Sequence, residues 1–94
     1  MIDSTAQVDT PRAERYIKQL VSHMGHKVST KLDDDGLGTI TLSYGECTLT
    51  PFPGHILLRA TAEDLDKLAD VQDVVARHLV RFASQEELTV TWTS

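Results

Sequence analysis

The chain has 94 residues, of which 40% are hydrophobic and 24% charged, and its 14 acidic and 9 basic residues give a formal net charge of −5. This composition is ordinary for a folded domain and excludes a disordered chain, and the length fits one domain over residues 1–94. The acidic balance argues against binding to nucleic acid and against a polybasic membrane surface, which both need clustered positive charge.

The sequence also indicates a compartment. The N-terminal residues lack the basic and apolar regions of a signal peptide, and no apolar run is long enough to span a bilayer. The single cysteine, Cys47, cannot form an internal disulfide, which fits a reducing compartment. We therefore expect a cytoplasmic protein.

The first predicted elements are a short strand near residues 6–8 and a helix over residues 11–24. Thr10 is a typical N-cap, and Pro11 suits the first helical position because its missing N–H has no intrahelical partner there. Gly25 follows the helix where a left-handed C-terminal cap favours glycine. One apolar stripe recurs at three- and four-residue spacing, formed by Ala13, Tyr16, Ile17, Leu20, Val21 and Met24.

The period of apolar residues then changes from 3.6 to 2. This alternation predicts four strands, near residues 27–32, 39–44, 46–50 and 55–60. Asp33–Gly38 has the composition of a hairpin loop between the first two of them, and Pro51–Gly54 separates the last two.

A second helix is predicted over residues 62–83. Thr61–Asp64 resembles a capping box, and Arg77, His78 and Arg81 lie in the last turns, where cations complement the helix dipole. The predicted buried face consists of Leu65, Leu68, Ala69, Val75, Leu79, Phe82 and Ala83. Alternating residues from Leu88 to Thr93 then predict a final strand.

The resulting order is β-α-β-β-β-β-α-β. Strands that alternate apolar and polar residues have one covered and one solvated face, so both helices are expected on the same face of a mainly antiparallel sheet. The predicted fold class is α+β, a two-layer sandwich that varies on the ferredoxin-like arrangement.

The candidate site consists of His23, His26, Cys47 and His78. Imidazole and thiolate are ligands for zinc or iron, and helices packed side by side would bring several of these residues together. Arg77 or Arg81 would pair with an anionic ligand.

Other interpretations of these residues stay open. A lone buried cysteine often serves as a small hydrophobe, and a histidine at a helix C-terminus often serves as a cap. Cys47 paired with a histidine would instead make a small cysteine-dependent enzyme. The open sheet face or an edge strand would suit a protein partner or a homodimer.

Several segments together resemble a known family. They are Arg15–Ile17 with Gln19 and Leu20, His23–Val28, Gly45–Leu49, Asp73–Leu79, Arg81–Ala83, Glu87 with Leu88, and Trp92. This pattern, which runs over nearly the whole chain, resembles the uncharacterised bacterial family called domain of unknown function 2218.

The resemblance carries over no catalytic residue, because no activity is assigned to the family. It implies association with siderophore-interacting flavoproteins, and hence a role in handling iron–siderophore complexes. The leading hypothesis is therefore a non-catalytic binding module with a ligand site lined by His23, His26, His78, Arg77 and Arg81.

Overall fold

The computed structural model describes residues 1–83 and 87–93. Five strands and two helices form in these ranges. In chain order they are β1 (Ile2–Asp9), α1 (Ala13–Met24), β2 (Ser29–Leu32), β3 (Gly38–Leu42), β4 (Gly45–Phe52), β5 (His55–Ala62) and α2 (Leu65–Phe82).

The strands form one sheet in the order β1-β5-β4-β3-β2, and every neighbouring pair is antiparallel. The Asp33–Gly38 segment makes the predicted hairpin between β2 and β3, with Gly36 N–H donating to the Asp33 carbonyl at 2.9 Å. Gly54, at φ +87°, turns the chain between β4 and β5 in a conformation that disfavours residues with a Cβ.

Both helices cover one face of the sheet, which confirms the predicted α+β sandwich. Helix α1 lies over β2, β3 and β4, and α2 lies over β4, β5 and β1. The approach of helix to sheet is close at two glycines. A Cβ on Gly38 would lie 2.9 Å from Ile17, and one on Gly45 would lie 2.5 Å from Val71. The core consists of the alternate strand residues that face the helices and the apolar stripes of α1 and α2.

Helix α1 ends at Met24 as predicted, but its start and its C-terminal cap differ from the prediction. It begins at Ala13, because Thr10 lies before it and accepts a hydrogen bond from Arg12 N–H at 3.1 Å rather than capping the first turn. Gly25 is right-handed, with φ −62° and ψ −16°, so the predicted left-handed cap is wrong. A steric restriction favours glycine here instead, because a Cβ at position 25 would lie 2.9 Å from the Thr30 hydroxyl oxygen.

Helix α2 also begins later than predicted. Strand β5 extends to Ala62, so Thr61 belongs to the sheet, and the N-cap is Asp64, whose side chain accepts a hydrogen bond from Lys67 N–H at 2.9 Å. Leu65 is 75% exposed and Ala69 is also exposed, so neither belongs to the buried face. That face consists of Leu68, Val71, Val75 and Leu79.

The final strand predicted over residues 88–93 is not formed. The described residues 87–93 make only an isolated bridge, in which Thr93 and Thr5 exchange two backbone hydrogen bonds of 2.8 Å. The apolar side chains in this range still pack, half-buried, against the core. Conversely, β1 is eight residues long, whereas the sequence predicts a short strand.

Within the described ranges, neither helix combines the length and the apolar character needed to cross a bilayer.

Candidate functional site

The C-terminal turns of the two helices bring two of the predicted histidines together. The ring of His23, on α1, has its centroid 5.6 Å from that of His78, on α2, and the planes are tilted by 44°. The His23 ring also meets Phe82 edge to face, with centroids 5.0 Å apart. His23 is exposed and His78 is half-buried, so the pair borders on solvent.

A backbone hydrogen bond orients His78. Its Nδ1 lies 2.7 Å from the carbonyl oxygen of Val74, one helical turn earlier. A carbonyl only accepts, so Nδ1 carries the proton and donates it. In the neutral ring, Nε2 is then left with its lone pair and is the atom that can accept a hydrogen bond or a metal ion.

Two surface hollows adjoin this histidine pair. One, of about 480 Å³, is lined by Lys18, Gln19, Ser22, His23, His26 and Phe82. The other, of about 270 Å³, is lined by Arg77, His78 and Arg81. Each hollow contains one ring of the pair, so cationic and imidazole side chains are concentrated where the helices meet.

The two predicted arginines are placed differently. Arg77 makes an exposed ion pair with Asp73, with 3.6 Å between Nη2 and Oδ2. Arg81 makes no ion pair with any residue that the structure describes. Arg81 is therefore the more available cation for a bound anion.

Cys47 does not join the histidines. Its side chain is fully buried in β4 among the core residues, and its Sγ lies 3.6 Å from the Thr48 carbonyl. Burial raises the pKa of the thiol from 9.0 to about 12, and the nearby Glu46 carboxylate also raises it. The thiol is therefore protonated at neutral pH, which is unfavourable for a nucleophile or a metal ligand.

The proposed set of four metal ligands is consequently not assembled. No three His, Cys, Asp or Glu side chains of the described ranges are placed to hold a metal ion. The physical reason is the register of β4, which points Cys47 into the core, whereas His23 and His26 are on the outer surface of α1 and the turn after it.

Sequence reasoning missed three residues that line the larger hollow. Lys18, Gln19 and Ser22 are polar and exposed on α1. Their spacing contains a usable signal: positions 18 and 22 and positions 19 and 23 are each four apart, so these residues share a helix face with His23.

Comparison with known proteins then identifies the family. A family model described as an uncharacterized protein conserved in bacteria (DUF2218) matches residues 5–93. The chain belongs to this family. The expected resemblance is thereby confirmed over nearly the full length, and the description of DUF2218 gives no activity.

A solved structure similar to this DUF2218 chain supports the fold. The NMR structure of PA4090 from Pseudomonas aeruginosa has 39% sequence identity and a TM-score of 0.83, and the match covers 99% of this chain and 96% of that one. No curated protein matches the chain significantly.

Proposed function

We propose that this protein is a small binding module that holds an anionic small molecule where the C-terminal turns of α1 and α2 meet. The observation that supports it is the contact of His23 with His78 between two hollows that contain Lys18, Arg77 and Arg81.

The local charge favours an anion. The whole chain carries a formal net charge of −5, yet two cations without an ion pair among the described residues, Lys18 and Arg81, line the hollows, together with Arg77, which pairs with Asp73. Arginine donates paired N–H groups to carboxylate, phosphate or similar oxyanions, and such charge-assisted hydrogen bonds are stronger than neutral ones. These residues come from two packed helices, which fixes the spacing of their backbones before a ligand arrives.

An iron–siderophore complex is the first ligand to test, because the resemblance to DUF2218 implies association with siderophore-interacting flavoproteins. A siderophore brings its own oxygen ligands for iron. Recognition of such a chelate needs cations and hydrogen-bond donors on the protein, which the histidine and arginine cluster supplies, and it does not need Cys47.

The test is calorimetric titration of the protein with an anionic ferric siderophore, with citrate and with zinc, ferrous and ferric ions alone. We expect the anionic chelate to bind and the Arg81→Ala and His23→Ala variants each to lose at least about tenfold in affinity, since a charge-assisted hydrogen bond contributes about 1.5–3 kcal/mol. Both side chains are exposed, so the melting temperature should stay nearly constant.

The matched control is Lys31→Ala, which removes an exposed cation on β2, away from the helices. It should leave binding unchanged. Equal weakening by Lys31→Ala would show a general charge effect, and no binding of any chelate or anion would refute the proposal. Tight binding of a bare metal ion that needs both histidines would instead show a metal site.

A second candidate is a protein-interaction or homodimerisation function of the sheet face opposite the helices. One register row crosses this face, formed by Lys31, Thr39, Thr48, Arg59, Thr5 and Thr93. Apart from Lys31 and Arg59, these side chains are short and lose little rotamer entropy when a partner covers them. This property favours contact with a flat partner surface. Analytical ultracentrifugation tests self-association: a monomer at every concentration would exclude the homodimer, and a dimer broken by Thr48→Arg would support it.

A further inference from the structure

A further hollow lies at the other end of α1. It is an open groove of about 700 Å³ between the first turns of that helix and the tip of the β4–β5 hairpin. Its helix side contains Arg12, Arg15 and Lys18, and its hairpin side contains Pro51–Gly54. This size is within the range of small-molecule sites.

The groove combines positive charge with apolar surface. Among the described residues that line it, three are cations and one, Glu14, carries a carboxylate. Neither Arg15 nor Lys18 makes an ion pair with any residue in the described ranges. Pro11, Pro51, Phe52 and Pro53 supply rings with few hydrogen-bonding groups.

The hairpin wall is held in position. Gly54 accepts a hydrogen bond of 2.9 Å from the Thr10 N–H, which ties the hairpin tip to the segment that leads into α1. The ring of Phe52 stacks on His55, with centroids 4.8 Å apart and planes 11° from parallel, although Phe52 remains 41% exposed. Phe52 lies with Pro51 and Pro53 in the lining of the groove, and contiguous exposed apolar patches of this kind mark binding surfaces.

We infer that this groove is a second binding site, separate from the histidine pair, for an organic anion with a planar apolar body. Arg15 binds the anionic group, and the proline and phenylalanine rings pack against the apolar part. Lys18 lines both this groove and the larger hollow beside the histidines, so it adds positive charge to both sites. Charge complementarity and the apolar hairpin wall argue for this class over a simple inorganic ion, which would make no use of those rings.

In the test, 2-naphthoate is titrated into the isotope-labelled protein. Binding is followed through the backbone amide chemical shifts. Inorganic phosphate and 2-naphthylmethanol separate the contributions of charge and ring. We expect 2-naphthoate to shift the amides of residues 12–19, Phe52 and Gly54, phosphate to cause much smaller shifts, and the neutral alcohol to bind at least about tenfold more weakly.

Three variants check the location. Arg15→Ala and Phe52→Ala should each weaken 2-naphthoate binding at least about fivefold while the spectrum stays that of a folded protein, since both side chains are exposed. His23→Ala should leave it unchanged, which separates this site from the proposed site at the helix ends. Equal binding of the neutral alcohol, no effect of Arg15→Ala, or shifts confined to His23 and its neighbours would overturn the inference.

Discussion

The rings of His23 and His78 lie 5.6 Å apart although 55 positions separate them in the chain. His78 is fixed by its own helix, through the 2.7 Å contact between Nδ1 and the Val74 carbonyl. His23 has no such bond among the described residues and is positioned by the Phe82 ring instead. The pair thus combines one oriented imidazole with one exposed imidazole.

The tautomer of His78 is the first prediction. Because Nδ1 donates to Val74, neutral His78 should be the Nδ1–H tautomer, whereas free imidazole side chains favour Nε2–H. Nitrogen-15 correlation spectra of the ring measure this directly. His26, exposed on the turn after α1, is the control within the same molecule. An Nε2–H tautomer at His78 would contradict the observed orientation of the ring.

Cys47 should be inert in the folded protein. Its thiol is fully buried and its pKa is raised to about 12, so thiolate is scarce at neutral pH. We expect iodoacetamide to modify it only after addition of denaturant, as followed by mass spectrometry. Rapid modification of the native protein at pH 7 would revive the interpretation as a cysteine-dependent enzyme.

The same thiol should make stability depend on pH at the alkaline end. The pKa of Cys47 is higher in the folded chain, about 12, than the ordinary value of 9.0. Its contribution to the free energy of unfolding is therefore fully present below pH 9.0 and is lost as the pH rises toward 12. Urea unfolding at several pH values, compared with Cys47→Ala, isolates this contribution, because other alkaline titrations are common to both proteins. If the free energy of unfolding depends on pH in the same way in both proteins, the thiol does not contribute to the pH dependence.

Substitution of Gly45 should be strongly destabilising. A Cβ there would lie 2.5 Å from both the Thr61 carbonyl oxygen and the Val71 side chain, and the backbone atom cannot move aside easily. We expect Gly45→Ala to lower the free energy of unfolding by about 2–3 kcal/mol. Gly54→Ala is the matched control: its Cβ meets nothing within 4 Å, so only the positive φ is penalised, by about 1 kcal/mol. Equal losses would show that packing at β4 against α2 is looser than the structure indicates.

The start of α2 supplies a fifth prediction. Asp64 accepts the Lys67 N–H bond, so Asp64→Ala should cost about 1 kcal/mol of stability. Asp66→Ala, which removes an exposed acid in the first turn without a capping bond, should cost less. Thermal unfolding by circular dichroism compares the two. A larger effect at Asp66 would show that charge, rather than the cap, stabilises this helix end.

Half of the candidate site was predictable from sequence. Helical spacing places His23, His78 and Arg81 near the ends of two amphipathic helices, and packing of those helices is what brings two of the residues together. Alternation along β4 likewise predicts that Cys47 points toward the core, as Leu49 does. The four proposed metal ligands are not brought together in the structure, because sequence shows which face a residue occupies and not its distance from residues on another layer.

Local patterns in the sequence specify two helices with apolar stripes, alternating strands and the hairpin at Asp33–Gly38, and these elements predict an α+β sandwich. The strand order, the length of β1 and the conformation of residues 88–93 follow instead from contacts between elements. Residues 88–93 alternate apolar and polar side chains as a strand does. A strand forms, however, only where a neighbouring strand supplies backbone hydrogen bonds. In the described part of the chain, β1 pairs with this segment only through the bridge between Thr5 and Thr93. Patterns of side chains are encoded along the chain, whereas hydrogen-bond partners and contacts between helices depend on the assembled fold.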